Sequence, residues 1–250
     1  METTRPGEQS IALTRDFRLI QKRRGHGYSV DDMLVAHLAA TRGGVPRRVL
    51  DLGCGLGSIL LITAWARPKA DLWGLERNAE MAAFARRNIA LNGCGSRVRL
   101  VEGDLRDLAL VRSLGQFELV TGSPPYFPEG SGTPCADPAR TAAHFELCGG
   151  IEEYAAAAAL ALAPGGLFAA CAGASPPGRD LAALRKAGLS LTYHRLVLPR
   201  EGKPPFLTLL VGSKGERPAE GETAPPLVLR QTAGGRTPEH LAIRAWTGVT

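Results

Sequence analysis

Hydrophobic and polar positions follow two periods along this chain. Short apolar runs, RRVLDLG (47–53), DLWGLE (71–76), RVRLVEGD (97–104), FELVTGS (117–123) and LFAACAG (167–173), have the length of buried strands. Segments with helical spacing lie between them: 29–41, 58–66, 78–93, a short one ending near Leu114, 151–166 and 178–189. In the first, Ser29 stands at a cap position, Asp32 follows three residues on, and Met33, Leu34, His37 and Leu38 share one face. Asn92-Gly93 and Pro164-Gly165-Gly166 supply helix stops. LTYHRLVLP (191–199) and PFLTLLVGS (205–213), on either side of REGKP, predict a closing antiparallel pair. Strands alternating with helices imply an α/β fold with a mostly parallel, doubly wound sheet. Residues 1–28 read as a basic arm, 29–213 as the main domain, and 214–250 as an extension packing on it.

Composition narrows the class. The 250 residues are 44% hydrophobic and 22% charged, enough for one large domain with a core. The formal net charge is +6, and it is concentrated. Residues 1–50 hold nine Lys/Arg against five Asp/Glu, and 195–217 hold five against two, which suits a polyanionic partner. The five cysteines form no C-x-x-C pair, so a disulfide framework or zinc site is not expected, and no other spacing suggests a metal. METTRPGEQS lacks an apolar core of the signal type, and the alanine run 155–163 is too short to span a bilayer. A cytoplasmic protein with reduced thiols and no membrane partner is expected; monomer and weak dimer stay open.

DLGCGLG (51–57) follows a strand and opens a helix, with spacing G-x-G-x-G. Glycines there allow a tight turn and close approach of a ligand to the backbone. A dinucleotide would place its pyrophosphate at the helix start, whereas S-adenosylmethionine has no phosphate and would pack its amino-acid part on these glycines. Glu76 ends the second strand, where a carboxylate can take both ribose hydroxyls. Asp104 ends the third, where it can accept from the adenine amine, with Leu105 beside it. Asp51, Gly53, Gly55, Gly57, Glu76, Asp104, Leu105 and Ser123 are therefore the candidate cofactor residues, all at strand C-termini.

The fourth strand ends in Ser123-Pro124-Pro125-Tyr126, the candidate catalytic motif. An exocyclic amine on a nucleobase is a poor nucleophile because its lone pair is delocalised into the ring. An acceptor at the first motif position, with the backbone carbonyl after it, can hold both N–H groups and favour a tetrahedral nitrogen. The prolines fix φ and so aim that carbonyl, and Tyr126 can stack on the base. The S-P-P-Y form is similar to that of DNA cytosine-N4 methyltransferases.

Over residues 17–240 the chain resembles a bacterial family, the methyltransferases of N6 of adenosine 37 in a valine tRNA. QKRRGHGYSVDDMLVAHLA (21–39), PPYFP (124–128), HFELC (144–148), LPREGKPPFLTLLVGSKGERP (198–218), PPLVL (225–229) and GRTPEH (235–240) carry the resemblance. It departs at Ser123, Ala143 and Arg236, where the family has Asn, Arg and usually Tyr. The resemblance implies a Rossmann-like class I methyltransferase fold, with a mostly parallel seven-stranded sheet, a terminal antiparallel strand and helices on both faces. It also implies S-adenosylmethionine as cofactor, tRNA or another structured RNA as partner, and phosphate contacts from Lys22, Arg23, Arg24, Arg200 and Lys203. Three further readings stay open: another nucleic-acid amine (rRNA or cytosine N4), the amide of a protein glutamine, and a non-catalytic RNA-binding protein.

Overall fold

The computed structural model describes residues 4–25, 27–126, 149–215 and 221–249. A hairpin of β1 (Glu8–Ala12) and β2 (Arg18–Lys22) opens the chain, followed by α1 (Val30–Arg42). Strands and helices then alternate through β3 (Arg48–Leu52), α2 (Ser58–Ala66), β4 (Asp71–Glu76), α3 (Ala79–Leu91), β5 (Val98–Glu102), α4 (Leu108–Ser113) and β6 (Phe117–Gly122). The second half comprises α5 (Ile151–Ala161), β7 (Leu162–Gly173), α6 (Arg179–Lys186), β8 (Leu189–Leu198) and β9 (Leu207–Lys214). Two short strands, β10 (Glu222–Thr223) and β11 (Leu227–Val228), and helix α7 (Pro238–Trp246) follow.

The main sheet runs β8-β9-β7-β6-β3-β4-β5, and β10 and β11 both pair with the outer side of β8. Its core strands are parallel except β9, which is antiparallel to both β7 and β8. The predicted seven-stranded sheet with one antiparallel strand is thus present. Chain order reverses at β3 and β6, and open α/β sheets bind ligands in the crevice at such a reversal.

Period-two alternation distributes the sheet's side chains between two cores. Val49, Leu72, Leu119, Ala169, Cys171, Leu209 and Val211 face the side covered by α1, α2 and α3. Leu50, Leu52, Leu75, Val120, Phe168, Ala170 and Leu210 face the side covered by α5 and α6. Runs such as Leu167–Ala172 are apolar throughout because both faces are covered.

Two boundaries differ from expectation for local reasons. Helix α5 stops at Ala161 rather than Gly166, because Leu162 turns extended (φ −72°, ψ 136°) ahead of Pro164, whose ring and missing N–H oppose helix. The N-terminal segment is a hairpin clipped to α3. Asn88, fully buried, accepts from Ile20 N (2.7 Å) and donates to Ile20 O and Leu56 O (3.0 Å each). Arg87 donates to both oxygens of Glu8 (2.6 and 2.8 Å), which brings that carboxyl down to about 2.

Candidate active site

Four strand ends and one helix start enclose a single cleft. Its wall includes Gly53, Cys54, Gly55 and Leu56 after β3, Glu76 at the end of β4, Gly103, Asp104 and Leu105 after β5, and Ser123, Pro124 and Pro125 after β6. Ser29, Asp31 and Asp32 contribute from the start of α1, and Tyr154 from α5. Helix α1 reaches this edge because it packs over β6, β7 and α2.

Gly53, Gly55 and Gly57 all have positive φ (59°, 55° and 90°), a conformation that side chains with a Cβ resist. A Cβ on Gly53 would lie 2.1 Å from Tyr154 Oη. The loop is tied down by Glu76, whose Oε2 accepts from Gly55 N (2.8 Å) while Oε1 accepts from Asn78 N (2.6 Å). Burial dominates at Glu76 and raises its carboxyl above the usual range despite these bonds. Each oxygen keeps a second lone pair for a ligand hydroxyl. Asn78 also accepts from Glu80 N and Met81 N, capping α3 beside the carboxylate.

Asp104 is already bound by an arginine. Arg106 donates to both of its oxygens, with Nη2 to Oδ2 at 2.6 Å, and Arg77 stands 3.7 Å away. The Arg106 bond, ahead of all other causes, lowers this carboxyl and keeps it ionised as an acceptor. Asp51 and Gly57 lie behind the cleft rather than in its wall. Asp51 is buried in β3, accepts from Thr121 Oγ1 at 2.8 Å, and its Oδ2 has no partner among the described residues. Burial pushes its carboxyl up to about 7. Such an acid holds its proton more tightly folded than unfolded, so its contribution to stability is complete below about pH 4 and is lost as pH rises towards 7. Asp51→Asn should therefore flatten the fall of Tm across this window, measured by calorimetry from pH 4 to 8.

Ser123 is half-buried, with its Oγ 3.3 Å from Asp31 Oδ2 and 3.2 Å from Cys171 Sγ. Asp32 serves structure: its Oδ2 accepts from Ser29 N (3.3 Å) and Ser58 Oγ (2.7 Å), joining the starts of α1 and α2. Burial, then the neighbouring Asp31, raises its carboxyl. Tyr126 stands next to Gly173 at the end of β7, and burial raises its phenol. Among the described residues no cluster of His, Cys, Asp and Glu could hold a metal.

None of the five basic residues expected at RNA phosphates lines this cleft, and Lys22, Arg23 and Arg24 border a separate hollow with Arg5, Glu8 and Arg87. Lys22 pairs with Glu80 at 2.8 Å, while Arg23 and Arg24 are exposed where the β1–β2 hairpin leads into α1. Arg200 and Lys203 are exposed on the loop between β8 and β9. Because β8 runs parallel to β7 and β6, that loop opens at the same sheet edge as Ser123. Ala143, the HFELC segment (144–148), Cys135 and the last two residues of PPYFP lie outside the described residues.

A model described as a methyltransferase domain matches residues 49–129, the stretch from β3 through the S-P-P-Y motif. A tRNA1(Val) (adenine(37)-N6)-methyltransferase of Porphyromonas gingivalis is 33% identical over 129 residues, covering 51% of this chain and 50% of that protein. The chain is homologous to these methyltransferases. The Yersinia pestis (strain Pestoides F) protein of the same name is 29% identical over 235 residues, 86% of this chain and 91% of that one. The chain thus spans about half the length of the Porphyromonas relative and most of the Yersinia one. A predicted O-methyltransferase, Atu636 from Agrobacterium tumefaciens, has the same fold: TM-score 0.67, 23% identity, covering 88% of this chain and 98% of that chain. The resemblance read from the sequence is borne out, and so is the Rossmann-like methyltransferase fold.

S-adenosylmethionine is the cofactor that this domain and this cleft support. The donor set fits it: a glycine turn that a Cβ would block, a carboxylate lining the wall after β4 and an ionised one after β5. Sequence reasoning missed Ser29, Asp31 and Tyr154 in this wall. Only the capping pattern around Ser29 hinted that the start of α1 was special, and nothing local marked Tyr154.

Proposed function

We propose that this chain is an S-adenosylmethionine-dependent methyltransferase of an exocyclic amine in RNA, with N6 of adenosine 37 in a valine tRNA as its target. The observation that carries the reading is the placement of Ser123-Pro124-Pro125 in the same cleft as the glycine turn and Glu76. Bound S-adenosylmethionine supplies a methyl group that leaves sulfur without its bonding electron pair. Gly53, Gly55, Glu76, Asp104 and Leu105 hold that cofactor. Ser123 Oγ and the Pro124 carbonyl accept the two amine N–H groups, so that the nitrogen lone pair is freed from the ring. Tyr126 stacks on the base. An unpaired loop base enters such a cleft more cheaply than one in a duplex, which favours an RNA loop.

The names of the Porphyromonas and Yersinia relatives support this target. Ser123 supports cytosine N4 as the second reading, since serine opens the corresponding motif there. Incubating the protein with methyl-labelled cofactor and total tRNA, then identifying the labelled nucleoside, decides between them. Label in N6-methyladenosine is expected; label in N4-methylcytidine would transfer the conclusion to the second reading, and no label would end the tRNA target.

The exposed loop cations give a second expectation. If Arg200 and Lys203 meet phosphates, the Arg200→Ala/Lys203→Ala protein should bind tRNA with a salt slope shallower by about one to two, and more weakly whatever the loop sequence. Filter binding at several salt concentrations reads this directly; an unchanged slope would remove the β8–β9 loop from the RNA interface.

A further inference from the structure

The motif's serine raises a problem that an asparagine does not. An amide oxygen can only accept, so it can only draw on the amine's N–H groups. A hydroxyl has one proton of its own and two acceptor lone pairs. Left to itself it can donate that proton into the amine's lone pair, the very pair that must attack. A serine at this position works only if something fixes its proton elsewhere.

Asp31 stands where that something is needed. Its Oδ2 is 3.3 Å from Ser123 Oγ, across 92 residues of sequence, and it shares the cleft wall with Ser123. The other neighbour of Ser123 Oγ is Cys171 Sγ at 3.2 Å, a fully buried thiol that burial keeps protonated. A carboxylate is a far stronger acceptor than a thiol, so it takes the hydroxyl proton. The adjacent acid cannot substitute, because Asp32 is committed to Ser29 N and Ser58 Oγ.

Resting on the reading of the site as an amine methyltransferase, we infer that Asp31 is the positioning residue that makes Ser123 serve in place of asparagine, and the acceptor of the proton the amine gives up. Asp31 draws the hydroxyl proton towards its Oδ2, so Ser123 Oγ presents lone pairs to the amine N–H. When the new N–C bond forms, the nitrogen carries one proton too many. That proton passes to Ser123 Oγ as the hydroxyl proton passes to Asp31 Oδ2. The methylated amine ends neutral, the serine ends as it began, and the proton leaves for solvent from the half-buried Asp31.

The test is a cycle of four proteins: wild type, D31N, S123N and S123N/D31N. Single-turnover methyl transfer to a tRNA transcript is compared with S-adenosylhomocysteine binding by calorimetry. D31N is expected to lower the transfer rate about 30- to 100-fold with KM for tRNA little changed, a loss in the range of general acid–base effects. In the S123N background the same change is expected to cost less than about threefold, because the amide needs no partner to fix a proton. Equal losses in both backgrounds would overturn the role of Asp31 while leaving the methyltransferase reading intact. So would parallel loss of S-adenosylhomocysteine binding in D31N, which would make Asp31 part of the cofactor pocket. A wild-type protein that methylates no amine in RNA, DNA or protein would overturn the reading and this inference together.

Discussion

Gly53→Ala is expected to lower stability by about 2–4 kcal/mol, from a residue forced into left-handed backbone and an overpacked core. It should weaken S-adenosylhomocysteine binding about tenfold or more, since 1.4 kcal/mol of lost turn geometry already has that effect. The cause is specific. The new Cβ would lie 2.1 Å from Tyr154 Oη and 3.1 Å from Cζ, and Tyr154 is only 6% exposed, with little room to withdraw. Tyr154→Phe in the same chain removes the nearer atom and should recover part of both losses, a non-additivity that urea titration and calorimetry would measure. If the double variant is no better than Gly53→Ala alone, the backbone conformation and not the tyrosine carries the cost.

Asn88→Ala should have an effect of similar size by a different route. The side chain is fully buried and makes three bonds to main chain, two to Ile20 and one to Leu56. Truncation strands an N–H and two carbonyls away from water, each costing about 1–3 kcal/mol if nothing replaces the bond. A loss of about 3–5 kcal/mol in urea unfolding is expected. Amide exchange should rise first in β2 and in the glycine turn, because Asn88 is bonded to both segments. Exchange that rises uniformly instead would mean that hairpin and turn are not separately held by this residue.

Both residues show where sequence reading stops. The β–α alternation was visible because the strands are buried on both faces and read as apolar runs, and the helices carry stop signals of their own. The glycine turn and the S-P-P-Y motif were visible because their chemistry is local: adjacent residues make one turn. Tyr154 against Gly53, Asp31 against Ser123 and Asn88 against Ile20 join residues separated by about a hundred, 92 and 68 positions. No periodicity encodes such pairs; they exist only once α5, α1 and α3 have packed on the sheet. At Asp51 the motif and the packing point different ways. The residue sits in a motif whose neighbours line the cleft, yet strand alternation turns it into the core, where burial pushes its carboxyl up to about 7. The extension after β9 was illegible as strand because β10 and β11 are two residues each, too short for any alternation to register.

Those two short strands matter beyond their length. β8 is the last long strand of the sheet, and its outer row of amides and carbonyls would otherwise invite pairing with another molecule. β10 covers it at Tyr193–His194 and β11 at Val197–Leu198, and Ala224 N donates to His194 O between them. The Arg42–Glu222 ion pair and Arg195 on the Pro225 carbonyl hold this cover in place. The final stretch of chain therefore closes this side of the sheet with its own backbone, so that at Tyr193–His194 and Val197–Leu198 β8 is an interior strand rather than an edge.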